Sequence, residues 1–493
     1  MNFAKIMQTH LGKILFVMAF VALWAGCSFA PKYKRPAVET PGSFKENSGT
    51  NDIDTNIWQS AQPNDDVIRS NWWEMFDDPV LNSLEEQVAI SNQNVAVSYE
   101  NYMTAHAIVH EDQAQFLPTV TTGNNGPSVI RSRTSAGGGG AFTVRNPNNT
   151  EYIVPVSASW EPDLWGKVRN TVRNAKGTAQ ADAADLANAT LSAQAELASD
   201  YFQLQGQDAL EQLFDGTVNA YSNSLKLTQV LYKTGIDSDQ DVAQAETQLE
   251  TTEAQATNLR ILRAQMEHAI AVLLGRVPGD LSIPRSPLIA RPPRIPVGLP
   301  SQLLERRPDI AAAERAVFAA NAQIGVARAA FFPNVTLSAS GGFESSMTAN
   351  LFNWSSRIWN ISAAAAQTPI FNAALPAGLA QYNASYRNTV ASYRQTVLTA
   401  FQGVEDNLSN LRILKIQIAQ QEIAVNSSQT YLNLATYRYQ LGIDSYLNVI
   451  TAQTTYLSNR QTLLNLYTQQ MMDAVTLIED LGGGWDASRL PKD

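Results

Sequence analysis

The residues that could do chemistry are few and poorly assembled. His106 and His110 stand one helical turn apart with Glu111 beside them, the spacing of a zinc half-site. No third ligand accompanies them, and His268 is the only other histidine after His10. An exposed helix surface is therefore the expectation there. Asp237-Ser238-Asp239-Gln240-Asp241 imitates the start of a calcium loop. Val242 stands where that loop needs Gly, and Gln248 where it needs a bidentate Glu. The glycines at 137–140 lack a following Lys-Ser/Thr, so they suit a flexible outer loop rather than a phosphate cradle. No nucleophile, base and orienting group stand out as a set, so the chain does not read as an enzyme and no metal or dissociable cofactor is expected. One cysteine, Cys27, excludes a disulfide scaffold and a Cys-ligated zinc site.

That cysteine lies where a different chemistry would need it. Lys5, His10 and Lys13 precede an apolar run from Ile14 to Trp24, then Ala25 and Gly26. A basic start, a short apolar run and small residues read as a secretory signal over 1–26. The run is too short for a membrane-spanning helix, which takes about 20 residues. Ala25-Gly26-Cys27 resembles the lipobox of bacterial lipoproteins, with Trp24 where Leu is usual. The resemblance implies a diacylglycerol thioether and an N-acyl chain on Cys27, and Ser28 fits sorting to the outer membrane. Residues 27–78 then read as a lipidated, extended tether.

The composition limits the rest. The chain has 493 residues, with 44% apolar and only 16% charged side chains and a net charge of −10. Soluble domains carry about 25% charged residues. The acidic balance argues against a nucleic-acid partner. After residue 24 no stretch approaches the 18 apolar residues of a membrane helix.

The elements that position everything else are marked by proline. None occurs from Asp163 to Val277 or from Ala377 to Leu490. Proline inside a helix costs about 3 kcal/mol, so these stretches predict long helices. Each holds one turn: Gly235-Ile236-Asp237-Ser238 and Gly442-Ile443-Asp444-Ser445. Gly ends a helix in the left-handed region, and Asp or Ser caps the next. Each stretch is thus a helical hairpin, and its rising arm of about 70 residues would be roughly 100 Å long. Leu411, Ile418, Val425, Leu432 and Tyr439 form a seven-residue packing seam. Leu414, Gln421, Ser428 and Ala435 lie between them, so the seam is only half apolar and the other face is expected to meet water.

The two turns belong to a longer self-match. Phe116-Leu117-Pro118 corresponds to Phe331-Phe332-Pro333, and Tyr232 with Gly235 to Tyr439 with Gly442. The chain reads as a tandem duplication: 79–277, a Pro-rich linker 278–301, 302–482 and a tail 483–493. Each half carries two alternating segments, about 119–131 and 151–161, then 334–343 and 358–368. Tyr152, Val154, Val156, Ala158 and Trp160 alternate with Ile153, Pro155, Ser157 and Ser159. One apolar face at period two is the pattern of a membrane barrel strand. Four strands cannot close a barrel, and an open sheet in lipid leaves unpaired backbone. The chain must therefore oligomerise if these strands span a membrane. Two copies would supply eight strands and three would supply twelve.

Several motifs resemble the TolC-like outer membrane factors. Leu304-Glu305-Arg306-Arg307-Pro308-Asp309-Ile310 looks like the signature opening their second half. Trp160-Glu161-Pro162-Asp163-Leu164-Trp165-Gly166 resembles their strand-to-helix corner, and Leu481-Gly482-Gly483-Gly484-Trp485 their ending. Cys27, Pro31, Tyr33 and Pro36 resemble the start of the lipoprotein, NodT-type branch. The resemblance implies a mainly α fold with a small β part. Long antiparallel hairpins would form an α-barrel, and four strands per chain a 12-stranded transmembrane β-barrel, in a homotrimer. It implies an exit duct fed by an inner-membrane pump of the RND type through a periplasmic adaptor, lipid-anchored in the outer membrane. Protein export by a type I system and a non-transporting coiled-coil scaffold are the alternatives. The family's hairpin tips close the tunnel. Asp444 would then make a ring of carboxylates, with Asp237 and Asp241 at the equivalent turn. Tyr439 matches a position that bonds across the closed tip, whereas Asn448 and Thr451 stand where some members carry carboxylates. Trp160, Trp165, Trp354 and Trp359 flank the strands as a membrane-interface girdle would.

Overall fold

A computed structural model describes residues 29–46, 58–60, 71–122, 152–286, 288, 292–297, 300–365 and 372–491. The signal segment 1–26, Cys27 and the glycines at 137–140 lie outside the described residues. The short strand β1 (Trp58–Ser60) is followed by a 3-10 turn, Trp72–Phe76. Then come α1 (Pro79–Ser91), α2 (Gln93–Ala114), β2 (Thr119–Thr122), β3 (Tyr152–Trp160), α3 (Lys167–Lys233) and α4 (Asp239–Leu273). The second half holds β4 (Ile295–Val297), α5 (Leu303–Arg306), α6 (Pro308–Ala329), β5 (Val335–Ser345), β6 (Arg357–Ala365), α7 (Ala374–Gln440) and α8 (Tyr446–Asp480).

The repeat is visible in the lengths. Helices α3 and α7 have 67 residues each, and α4 and α8 have 35 each. At 1.5 Å per residue the long arms run about 100 Å. All four end the same way. The amides of Gly235 and Ile236 donate to the carbonyls of Tyr232 and Leu231, both at 2.9 Å, and Gly442 and Ile443 repeat this on Tyr439 and Arg438. This double bond closes a helix only with a left-handed residue at its end. Gly235 and Gly442 supply it at φ 78° and 70°. Ser238 then caps α4, as expected.

On α7 the predicted seam packs: Leu411, Ile418, Val425 and Tyr439 are buried and Leu432 is half-buried. Leu414, Ser428 and Ala435 between them are buried as well, and Gln421 is half-buried, because the partner helix packs across both rows. The helix's other face is exposed, and it carries apolar side chains such as Ile413, Ile423 and Leu434.

The thickest core sits where α1, α3, α4, α7 and α8 meet. Trp72, Leu81, Tyr201, Phe202, Ile270, Val404, Leu408 and Ile478 are buried there. Asp78 caps α1 through the amides of Val80 and Leu81, and its second oxygen accepts from Tyr201 at 2.8 Å and Gln205 at 3.0 Å. Three segments expected to be passive are built in. Trp72, Trp73 and Phe76 of the tether lie in this core, since leaving three large rings in water is more costly than ordering the chain that carries them. The Pro-rich linker contributes β4, which pairs in parallel with β1. In the C-terminal tail, Leu490 packs on Ala184, Ala311 and Ala312.

The signature arginine is structural. Arg307 donates to the Asp480 carboxylate and carbonyl at 2.8 and 2.9 Å and to Asp309 at 2.8 Å. It thereby joins the start of α6 to the end of α8, while Asn407 on α7 donates to the other Asp480 oxygen at 2.7 Å.

Glu85 on α1 is fully buried, and neither carboxyl oxygen has a hydrogen-bond partner. Burial pushes its pKa up from 4.5 to about 9. The folded chain therefore holds a proton that the unfolded chain releases above pH 4.5. Stability falls as pH rises through the window from 4.5 to about 9. At neutral pH this is an order-of-magnitude cost of ~3 kcal/mol. Glu85→Gln should flatten the melting temperature between pH 5 and 8. An unchanged slope would show that Glu85 is solvated.

Candidate functional site

Two regions could act on a solute, the hairpin tips and the four-stranded sheet. At the tips the two halves meet through Tyr439. Its hydroxyl donates to the Asp237 carboxylate of the first half, and Thr228 Oγ1 lies 3.2 Å from the same oxygen. Tyr446 sits beside it with ring centroids 5.3 Å apart, and Ala245 and Val449 complete an apolar cluster. Burial, then the Asp237 hydrogen bond, push the Tyr439 pKa well above the usual phenol range. Tyr439 therefore stays a donor at any physiological pH.

The other tip carboxylates are engaged differently. Asp444 accepts from Arg438 Nε at 2.6 Å and Nη2 at 3.3 Å. These hydrogen bonds hold its carboxyl below the usual carboxylate range. Asp241 is closed in a capping box with Ser238. Asn448 and Thr451 are exposed. Asp237 and Asp444 are equivalent by the repeat, yet Asp237 has Leu231 where Asp444 has Arg438. Arg438 was missed in the sequence. Its signal was an arginine six residues before an aspartate across a glycine turn, the separation that such a turn folds back on itself.

The sheet has the order β2-β3-β5-β6, all antiparallel. Register resolves its faces. Val154 pairs with Phe343 and Arg357 in turn, Val156 with Gly341 and Trp359, Ala158 with Ala339 and Ile361, and Trp160 with Leu337 and Ala363. Ser157 pairs with Ser340 and Asn360, and Ser159 with Ser338 and Ser362. Cross-strand partners share a face. One face is therefore apolar except for Arg357, and the other is rich in hydroxyls and amides towards the helices, with Ile153, Pro155 and Ile358 at its far end. Strand β5 (Val335–Ser345) lies within two residues of its expected limits, and β6 starts at Arg357, one residue from its expected start. Of the first segment only Thr119–Thr122 is described, and 366–368 fall outside the described residues.

The four tryptophans do not form one set. Trp354 and Trp359 are 79% and 80% exposed. Trp160 Nε1 donates to the Phe116 carbonyl at 3.0 Å. Trp165 is half-buried, unlike Trp354 and Trp359. It stacks on Phe332 at 5.0 Å, donates to the Pro333 carbonyl at 2.7 Å, and fixes the strand-to-helix corner.

Phe29 stacks on that same Phe332 at 4.4 Å and starts an N-terminal strap. Asn321 and Arg328 donate to the carbonyls of Pro31 and Phe29 at 2.9 and 3.2 Å. Tyr33 donates to Glu314, Arg35 to the Leu304 carbonyl at 2.8 Å, and the amides of Lys45 and Glu46 to Glu405 at 2.7 and 3.0 Å. Gly325 lets the strap close in, since a Cβ there would meet the Ala30 Cβ at 2.7 Å. Backbone-directed bonds of this kind leave no mark in a sequence. His106 and His110 pack ring to ring at 4.8 Å on an exposed helix surface, and no group of three metal-ligating side chains occurs among the described residues.

Helices about 100 Å long packed on shorter partners, joined to an amphipathic sheet whose edge strands are unpaired on one side among the described residues, have the build of a membrane duct protein. The chain belongs to the outer membrane efflux protein family, whose profile matches it twice, over 84–276 and 299–483. The toluene efflux pump outer membrane protein TtgC of Pseudomonas putida is 31% identical over 475 residues, 96% of this chain and 95% of its own. The cation efflux system protein CusC of Escherichia coli is 30% identical over 470 residues, 93% and 96% of the two chains. The outer-membrane channel OprN superposes with a TM-score of 0.83 at 27% identity, covering 93% of this chain and all of that one. This protein is an outer-membrane efflux channel, with its helices forming a tunnel in the periplasm.

The register makes the two strand faces testable. Ser340→Leu on the polar face should lower conductance without loss of insertion. Val156→Arg on the apolar face should reduce membrane insertion at least tenfold, read as heat-modifiable barrel on gels. Equal effects of the two would contradict the assigned faces.

Proposed function

We propose that three copies of this chain form the exit duct of a tripartite efflux system, passing small toxic molecules to the outside. The observation that carries this is the sheet whose outer strands, β2 and β6, pair on one side only among the described residues. Four strands from each of three copies close twelve strands, and four long helices from each give a twelve-helix tunnel. Exposed apolar residues on α7, including Ile413, Ile423 and Leu434, supply a seam for a neighbouring copy. A periplasmic adaptor and an inner-membrane pump of the RND type deliver the solute. Names of relatives cite toluene and cations as cargo, which supports a duct taking whatever its pump presents.

The tips close the periplasmic end. The Tyr439–Asp237 contact ties the two hairpins of one chain together and holds the constriction shut. Arg438 neutralises Asp444 locally, so the ring at the mouth alternates in sign instead of being bare carboxylate. Asp241 serves as a helix cap. Cys27 carries the thioether-linked diacylglycerol and the N-acyl chain. The strap from Phe29 supports this, because it delivers the start of the chain to the base of the sheet.

Three measurements test the reading. Detergent-purified protein should have the mass of about three mature chains and conduct in planar bilayers, and silence after reconstitution would favour a scaffold. Tyr439→Phe should raise conductance or open probability about tenfold or more, since a hydrogen bond to a carboxylate contributes about 1.5–3 kcal/mol. Asp444→Ala should lower cation preference by leaving Arg438 unpaired. No change in conductance or selectivity with either variant would remove the gate from the tips.

A further inference from the structure

Arg357 opens β6 on the apolar face of the sheet, in the ladder position shared with Phe343 and Val154. A guanidinium on a lipid-facing strand is costly at the membrane midplane and tolerated only near an interface. The preceding segment shows which interface. Residues 346–356 connect the ends of β5 and β6 farthest from the helices, so Arg357 lies at the outer leaflet.

The surroundings of this arginine are organised. The connection folds over the lipid-facing side, where Phe352 meets Phe343 edge-on at 5.4 Å. Arg357 Nε donates to the Trp354 carbonyl at 3.0 Å, and its guanidinium lies over the Trp354 ring. One edge of the fork is thereby fixed, and the two terminal nitrogens remain. Among the described residues no carboxylate pairs with Arg357. Below it runs a groove of about 870 Å³ walled by Val154, Val156, Phe343 and Trp359. Its floor is Gly341, where an added Cβ would meet nothing nearer than the Ile358 carbonyl at 3.8 Å.

A cation held flat by an aromatic ring, above an apolar trough and without its own counter-ion, matches an amphiphile with an anionic head. A planar guanidinium takes phosphate oxygens in pairs. We propose that this groove binds a phosphorylated lipid of the outer leaflet, with the phosphate on Arg357 and an acyl chain along Gly341. Each copy of the chain carries one such site, which anchors the outer rim of the barrel to its own leaflet. The inference rests on this face meeting lipid, and conductance reports that separately.

The test is native mass spectrometry of the assembled channel with added bisphosphorylated hexa-acyl lipid A. The same lipid stripped of phosphate and phosphatidylglycerol serve as comparators. Retained lipid A should fall at least fivefold in Arg357→Ala and fall also in Arg357→Lys, whose point charge neither stacks flat on Trp354 nor pairs two phosphate oxygens. Gly341→Leu, which fills the trough and leaves the charge, should also lose it. Each variant is first shown to conduct, so a failure to insert is not read as a failure to bind. Equal retention by Arg357→Ala, equal binding of the dephosphorylated lipid, or equal retention of phosphatidylglycerol would each overturn the proposal.

Discussion

An exposed sheet edge in lipid is the constraint on which this structure depends. Each unpaired backbone group in hydrocarbon costs several kcal/mol, with no water to relieve it. Among the described residues strands β2 and β6 pair on one side only, so each presents such an edge. The proposed closure with neighbouring copies answers that constraint. Under it the helices continuing from the strands stand side by side around the same axis. Their walls then need polar surface without strong charge, because a single-sign lining would repel itself. That accounts for a charged fraction of 16% in a chain with so much exposed surface. The largest buried core lies where α1, α3, α4, α7 and α8 meet. Towards the tips the core thins to smaller clusters, the last of them around Tyr439, Tyr446, Ala245 and Val449. Segments with less buried apolar packing open at lower cost.

Duplication supplies two equivalent tips, and small substitutions make them complementary. The same aspartate follows the same glycine turn in both halves. In the second half an arginine one turn back neutralises it. In the first half that position is Leu231, so Asp237 is left free to accept from the tyrosine of the other hairpin. A symmetric pair of tips would each satisfy itself and would have no reason to bind the other. Leu231 in place of an arginine leaves Asp237 available for the cross-hairpin contact with Tyr439.

Much of the fold was legible because its signals are local. Missing prolines marked helix interiors, Gly235 and Gly442 marked their ends, and period-two alternation from Tyr152 to Trp160 marked a face. The heptad row from Leu411 to Tyr439 marked a seam but understated it, since Ser428 and Ala435 are buried for their small size rather than their apolarity. What was not legible depended on residues far apart in sequence. The strap bonds of Pro31 and Lys45 run through backbone atoms. The burial of Trp72 reflects five helices that no window of sequence brings together. Trp165 was assigned to the girdle on its type and position, but its indole is engaged by Phe332 and the Pro333 carbonyl. Within the candidate gate, Tyr439 and Asp237 were legible through the repeat, whereas the pairing of Asp444 needed the geometry of the turn.

The strap fixes the N-terminal segment against the corner. Phe29 stacks on Phe332, three residues before β5 begins at Val335. From there the segment is bonded along α6 and α7, through Asn321, Arg328 and Glu405. Closing in so tightly is possible because Gly325 carries no side chain, since a Cβ there would meet the Ala30 Cβ at 2.7 Å. The path of the strap and the start of the strand therefore depend on one another through a single close approach.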